Sequence, residues 1–105
     1  MKILFDQGTP VPLRAFLKPH TVETAYERGW DTLRNGDLLN AAEAGGFDVL
    51  LTTDTGIKYQ QNLSGRKIAI VVLLSTSWPK IQGKTTEVAT AVESTTAGGY
   101  REIAI

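Results

Sequence analysis

Two short apolar runs of this sequence each end in an aspartate that is followed by turn-forming residues. The run "KILF" leads directly into Asp6, and the run "VLLTT" leads directly into Asp54. In open parallel α/β sheets, binding sites form outside the carboxyl ends of the strands. If the two runs are neighbouring strands, about 4.8 Å apart, their carboxylates should lie roughly 5–10 Å from each other at one edge of the sheet.

A third aspartate, Asp37, opens a segment with helical features that leads back into the second apolar run. A helix that precedes a parallel strand begins near the edge where the previous strand ended, so Asp37 is expected at the same edge. Converging carboxylates repel one another unless a cation or a shared proton lies between them. Oxygen ligands of this kind suit Mg²⁺ or Mn²⁺, which can activate water and stabilise a phosphoryl transition state. The residues therefore predict a metal-dependent phosphodiesterase, and the alternative is that each aspartate is only a turn residue or helix cap.

The elements that must position these acids are strands that alternate with helices. The strand-like runs are residues 2–5, 21–25, 48–53, 68–74 and 101–105. The helical segments are 10–18, a segment capped by Asn35 or Asp37 that stops at Gly45, a single turn at 59–63, and 81–96. This alternation predicts an α/β domain with a mainly parallel sheet of four to five strands. We expect the strand order 2-1-3-4, with the fifth strand at an edge.

Composition limits the classes of protein to which the chain can belong. Its 105 residues suffice for one domain, residues 1–105, and are too few for two. Eleven basic and eleven acidic side chains cancel, so binding to nucleic acid would depend on a local patch. The absence of cysteine excludes disulfides, thiolate metal sites and a cysteine nucleophile. With no recognisable signal peptide or membrane-spanning run, we expect a cytoplasmic location and no membrane association.

The stretch "GDLLNAAEAGGFDVLLTTD" resembles the C-terminal signature of PIN-domain ribonucleases, and "MKILFDQG" resembles their opening strand with its first catalytic aspartate. The segment "YQQNLSGRKIAIVVL" is similar to a small, compact bacterial branch of PIN-like proteins. The resemblance extends over most of the chain and implies a three-layer domain with helices on both faces of the sheet. It also implies that Asp6, Asp37 and Asp54 hold Mg²⁺ or Mn²⁺ and that the ion activates water for cleavage of single-stranded RNA.

Two departures from the PIN pattern leave an alternative open. First, no stretch matches the second acid of a full PIN domain, and the candidates to replace that acid are Glu23 or Glu27. Second, Gly56 stands where such proteins often carry another Asp or Asn. The alternative is a catalytically degenerate PIN-like scaffold that binds RNA or a protein partner without cleavage. The resemblance further implies the toxin of a toxin–antitoxin pair, with a small antitoxin protein as partner. A homodimer is the other association considered.

Basic and aromatic residues near the aspartates are candidates for substrate binding. Arg14 lies on the first helical segment after Asp6, and Lys58, Tyr59 and Arg66 flank the polar loop that follows Asp54. Lysine and arginine contact phosphates, and an aromatic ring can stack on a base of single-stranded RNA. The alternative is a solvated polar loop with its tyrosine packed inward.

Overall fold

A five-stranded, all-parallel sheet forms the centre of the molecule in a computed structural model that describes residues 1–60 and 62–105. The strands are β1 (Lys2–Phe5), β2 (Thr21–Thr24), β3 (Val49–Thr52), β4 (Ala69–Leu73) and β5 (Tyr100–Ile103). Their spatial order is β2-β1-β3-β4-β5, and every neighbouring pair is parallel. The α/β class, the predicted strand order and the edge position of the fifth strand are confirmed.

Helices connect the strands. They are a 3-10 helix (Val11–Phe16), α1 (Asn35–Ala44), α2 (Ile57–Gln60), α3 (Trp78–Gln82) and α4 (Thr85–Glu93). The helix predicted at 10–18 is thus a shorter 3-10 helix, and the turn predicted at 59–63 begins earlier, as α2. Position 61 of that predicted turn lies outside the described residues. None of the described helices is long and apolar enough to cross a membrane.

The single helix predicted over 81–96 is wrong, because the chain forms two short helices there. The Gly83 N–H donates to the Lys80 carbonyl at 3.2 Å, and the Lys84 N–H donates to the Ile81 carbonyl at 2.8 Å. These three-residue bonds close α3 before α4 begins. Glycine has a low helix propensity, and here it ends one helix although the apolar periodicity continues across it.

The N-cap residue, which immediately precedes helix α1, is not one that the sequence indicated. Arg34 occupies the N-cap position in an extended conformation and makes no side-chain capping bond. The prediction that Asn35 or Asp37 caps this helix is therefore wrong. The predicted stop at Gly45 is confirmed, and the following Gly46 has a φ of +78°, a conformation that glycine adopts at little cost.

The strands β3 and β4 are buried along their whole length, which is typical of continuous apolar strands in a parallel sheet. Because successive side chains of a strand point to opposite faces, the sheet contributes to two separate apolar clusters. One cluster joins alternate strand residues to the 3-10 helix, α3 and α4: Ile3, Phe5, Val49 and Leu51 with Leu13, Leu17, Ile81 and Val88. The other joins the remaining strand residues to α1 and α2: Leu4, Leu50 and Ile70 with Leu38, Leu39, Ala42 and Ile57.

Candidate functional site

The strands that precede the two aspartates are neighbours in the sheet. Phe5 of β1 is paired with Leu51 of β3, so both strands end at the same edge. The N–H of Asp6 donates to the Leu51 carbonyl at 3.2 Å, which extends the pairing one residue beyond β1. Asp54 follows the end of β3 by two residues. The sheet therefore brings Asp6 and Asp54 to one edge, as predicted.

A single buried hydroxyl connects the two acids. The side chain of Thr52, the last residue of β3, is fully buried and donates a hydrogen bond to Oδ2 of Asp6. The Thr52 hydroxyl oxygen in turn accepts the backbone N–H of Asp54 at 3.0 Å. The sequence analysis missed Thr52, although its place between an apolar strand and an acid could have indicated a polar contact.

The Asp6 carboxylate has further donors from the turn that follows it. The hydroxyl oxygen of Thr9, which is buried, lies 2.9 Å from Asp6 Oδ1 and 2.9 Å from the Leu51 carbonyl oxygen. Because the hydroxyl carries one proton, it donates to one of these acceptors at a time. Gly8 contributes a backbone N–H to Asp6. A Cβ at Gly8 would lie 2.2 Å from the Thr53 hydroxyl oxygen, so a larger residue at this position requires the Thr53 side chain to move.

The pKa of the Asp6 carboxyl lies above its ordinary value. Its largest cause is burial, which disfavours the charged form. Hydrogen bonds from Thr52, Thr9 and Gly8 oppose this rise, and the negative charge of Asp54 adds to it. Asp6 is therefore an acid whose charged state the surrounding protein only partly stabilises.

Asp54 is held on both of its carboxylate oxygens. Oδ1 accepts the backbone N–H of Gly56 at 2.9 Å, and Oδ2 accepts the side-chain amide N–H of Asn35 at 2.7 Å. Asn35 is the first residue of α1, so this bond ties the start of that helix to the acid. The sequence analysis considered Asn35 only as a helix cap. Gly56 therefore supports Asp54 through its backbone N–H.

Asp37 lies in the first turn of α1 and is exposed. Within the described part of the chain, no group of three or more Asp, Glu, His or Cys side chains is arranged to hold a metal ion. None of the ion pairs formed by the described residues includes Asp6 or Asp54. Among the described residues, this edge thus holds two neighbouring acids without a basic partner, and Asp37 is not part of their hydrogen-bond network.

A cleft of about 490 Å³ opens beside Asp6, on the side of the 3-10 helix. Its lining includes Thr9 and Arg14, together with Tyr26 and Glu27 from the turn after β2. A smaller cleft of about 160 Å³ borders Asp6 on the side of α1. Solvent-filled space therefore adjoins Asp6 on two sides.

Arg14 lines the larger cleft together with Asp6, as its predicted position near that acid implies. Its guanidinium is, however, already paired with Glu27. Its Nη2 lies 2.5 Å from Oε1 of Glu27 and its Nη1 lies 3.3 Å from Oε2. The guanidinium holds the pKa of Glu27 below its usual range. Glu23 lies 3.7 Å from Lys2 and 3.5 Å from Arg28. Both glutamates are therefore already paired with basic side chains.

The other predicted substrate-binding residues are dispersed. The Lys58 Nζ lies 3.1 Å from the Glu102 carboxylate, and neighbouring Tyr59 is 81% exposed, so the alternative in which this tyrosine packs inward is wrong. Arg66 binds Glu43 of α1 at 2.6 Å. Arg66 precedes β4 and so lies near the amino ends of the parallel strands, at the opposite edge from Asp6. The structure does not bring Arg66 together with the acids.

Two neighbouring carboxylates can share a proton or bind a cation between them. Ligands that offer only oxygen suit Mg²⁺ and Mn²⁺ rather than softer metals. Comparisons of the chain with protein-family models, with curated proteins and with solved structures gave no match.

Proposed function

We propose that this chain is a divalent-metal-dependent phosphodiesterase of PIN-like type that cleaves single-stranded RNA. The observation that supports the proposal is the pairing of Asp6 and Asp54 at adjacent strand ends, joined by the Thr52 hydroxyl. The described residues provide no basic partner for either acid. A hard cation would relieve the repulsion between the two carboxylates. An all-parallel sheet with helices packed against alternate strand residues is compatible with a three-layer PIN-like domain.

The chain's own residues suit distinct roles in such a reaction. Asp6 and Asp54 would hold Mg²⁺ or Mn²⁺, with the exposed Asp37 as the third acid. A bound ion of this type supplies a water molecule of lowered pKa and neutralises charge on the phosphate. Arg14, which lines the same cleft as Asp6, would steady the phosphate, and Lys58 is the second candidate for that role.

Cleavage of labelled single-stranded RNA in the presence of Mn²⁺ tests the proposal. We expect the wild-type protein to cleave, and we expect Asp6→Asn and Asp54→Asn to lower the rate by at least about 100-fold, since loss of a metal ligand costs more than loss of an outer partner. The matched control is Asp48→Asn, which should retain activity. Asp48 is exposed and precedes β3, at the opposite end of that strand from Asp54. Its carboxylate accepts the Lys2 N–H at 2.8 Å, and an amide oxygen can accept the same bond.

Two results would contradict the proposed site. The first is cleavage that persists in both Asp6→Asn and Asp54→Asn, because the activity would then come from another site or a contaminant. The second is calorimetric titration with Mn²⁺ in which the wild type and Asp6→Asn bind the ion equally. Circular dichroism and thermal unfolding of each variant establish that it is folded before its activity is compared.

The second candidate function is a PIN-like scaffold that binds RNA or a protein without cleavage. The exposed position of Asp37 favours it, as does the absence of a group of three metal-ligating side chains among the described residues. In a toxin–antitoxin pair, a small antitoxin would cover the edge that carries the acids. This function is supported if the wild-type protein binds several single-stranded RNAs and cleaves none of them with Mg²⁺ or Mn²⁺.

A further inference from the structure

We propose that the 490 Å³ cleft beside Asp6 is the subsite for one nucleotide of the RNA, and that Tyr26 is the surface on which its base stacks. The inference rests on the proposed function, because it takes single-stranded RNA as the ligand. It assigns base stacking to Tyr26, which the sequence analysis did not consider, instead of Tyr59. The argument depends on the position of Tyr26, the lining of the cleft and the pairing of Arg14.

Tyr26 is 74% exposed, and it lines the same cleft as Asp6. It lies in the turn that follows β2, and β2 is the neighbour of β1 in the sheet. The backbone of this turn is held in place. The Ala25 N–H donates to the Phe5 carbonyl at 2.8 Å, and the Trp30 N–H donates to the Ala25 carbonyl at 2.8 Å. An exposed ring on a fixed backbone beside the acid is a suitable platform for a flat base.

The lining of the cleft divides into apolar and polar parts. Val11, at the start of the 3-10 helix, is 54% exposed and lines the cleft together with Tyr26. Asp6, Thr9 and Arg14 supply carboxylate, hydroxyl and guanidinium groups to the same cleft. A nucleotide has the same division, since its base has flat apolar faces and its phosphate carries the charge. The cleft therefore matches one nucleotide better than it matches an entirely apolar ligand.

Arg14 is positioned to meet the phosphate of that nucleotide. Glu27 accepts hydrogen bonds from both Nη atoms of Arg14. The Thr24 N–H also donates to Glu27, at 2.9 Å. A guanidinium has five N–H donors, so this pairing leaves others for a ligand. The Arg14 Nε is buried, so the donors open to a ligand are the Nη N–H groups that Glu27 does not occupy. Glu27 therefore fixes the guanidinium in the cleft wall and leaves donors that a phosphate can use.

Tyr59 provides a matched control, because it is a second exposed tyrosine on a different part of the surface. It belongs to α2, and the described lining of the cleft does not include it. The neighbouring Lys58 lies 5.1 Å from its ring and pairs with Glu102 of β5. A non-specific effect of removing an exposed aromatic ring should therefore appear equally in variants of Tyr26 and Tyr59.

The test measures affinity for a short fluorescein-labelled single-stranded RNA by fluorescence anisotropy, with EDTA present so that no divalent ion is bound. Loss of one base–aromatic stack should weaken binding by about 5- to 150-fold, and we expect Tyr26→Ala to show a loss in this range. Tyr26→Phe keeps the ring and should bind within about twofold of wild type, and Tyr59→Ala should lose less affinity than Tyr26→Ala. Because the Tyr26 ring is mostly exposed, thermal unfolding of Tyr26→Ala should match that of the wild type.

The inference is wrong if Tyr26→Ala binds the RNA as tightly as wild type, if Tyr59→Ala loses as much affinity, or if the wild type does not bind. Since the assay requires neither metal nor cleavage, its outcome is separate from that of the nuclease test. If the protein binds RNA through Tyr26 but does not cleave it, the proposed subsite is supported and the proposed nuclease activity is refuted. If cleavage requires Asp6 but RNA affinity does not depend on Tyr26, the proposed nuclease activity is supported and the proposed subsite is refuted.

Discussion

Replacing Thr52 with valine would remove the hydroxyl that joins the two acids and keep the branched shape of a fully buried side chain. The hydroxyl donates to Asp6 and accepts the Asp54 N–H at 3.0 Å. A hydrogen bond to a charged group contributes about 1.5–3 kcal/mol, and one from a neutral backbone N–H about 0.5–1.5 kcal/mol. Because Asp6 is partly exposed, water replaces some of the lost interaction. We expect Thr52→Val to lower the free energy of unfolding by about 2–3 kcal/mol near neutral pH.

The stability that Thr52→Val loses should depend on pH, because the hydrogen bond from Thr52 favours the charged form of Asp6. The pKa of Asp6 is raised mainly by burial, so the folded state binds its proton more tightly than the unfolded state does. The resulting stabilisation is fully present below the ordinary aspartate pKa of 3.8 and is lost as the pH rises through the pKa of Asp6 in the folded state. Without the Thr52 bond that pKa rises further. Thr52→Val should therefore cost least below pH 3.8 and most at neutral pH.

Urea unfolding followed by circular dichroism in EDTA, at acidic and neutral pH, measures both effects. Thr52→Ser keeps the hydroxyl and loses one buried methyl group, so it should cost about 1 kcal/mol with little dependence on pH. In the Asp6→Asn background, Thr52→Val should cost less than in the wild type, because the charged acceptor is gone. The reasoning fails if Thr52→Val is as stable as wild type at neutral pH, or if its cost is the same with Asp6 and with Asn at that position.

Two further variants test the turn beside Asp6 and the opposite edge of the sheet. Gly8→Ala should lose about 1–2 kcal/mol in urea unfolding, because its Cβ would lie 2.2 Å from the Thr53 hydroxyl oxygen. An equal loss in the Thr53→Ala background would contradict this explanation. Burial alone would raise the pKa of Glu43, but hydrogen bonds from Arg66 and from the Lys67 backbone hold it below its usual value. The stabilisation that Glu43 provides is therefore present above pH 4.5 and is lost as the pH falls through the folded pKa. Glu43→Gln should cost about 1–2 kcal/mol at neutral pH and less in acid, and a cost that does not change with pH would refute the assignment.

The fold was largely predictable because three of its strands, β1, β3 and β4, are local apolar runs. Strands that are buried on both faces, such as β3 and β4, have uninterrupted apolar sequences. The alternation of such strands with helices implies a parallel sheet. The division of the last long helix was not predictable in the same way. The apolar spacing of α3 continues into α4, so periodicity alone does not reveal that hydrogen bonds at Gly83 end the first helix.

The substrate-binding candidates show a different limit of sequence reasoning. The segment around Arg66 contains basic and polar residues typical of an RNA-binding loop, but Arg66 pairs with Glu43 near the amino ends of the strands. The sequence favoured Tyr59 as the stacking residue, because Lys58 and Arg66 lie near it. Only the path of the chain after β2 places Tyr26 in the cleft beside Asp6.

The sequence by itself determined that Asp6 and Asp54 end two apolar strands, since an abrupt change from apolar to turn-forming residues is a local property. The order of the strands could be inferred from connection rules, and it places both acids at one edge. Only the tertiary structure decided which groups surround them. Thr52 is 46 residues from Asp6 and Asn35 is 19 residues from Asp54 along the chain. Such contacts depend on strand register and on the angle at which a helix meets the sheet, and local residue patterns encode neither.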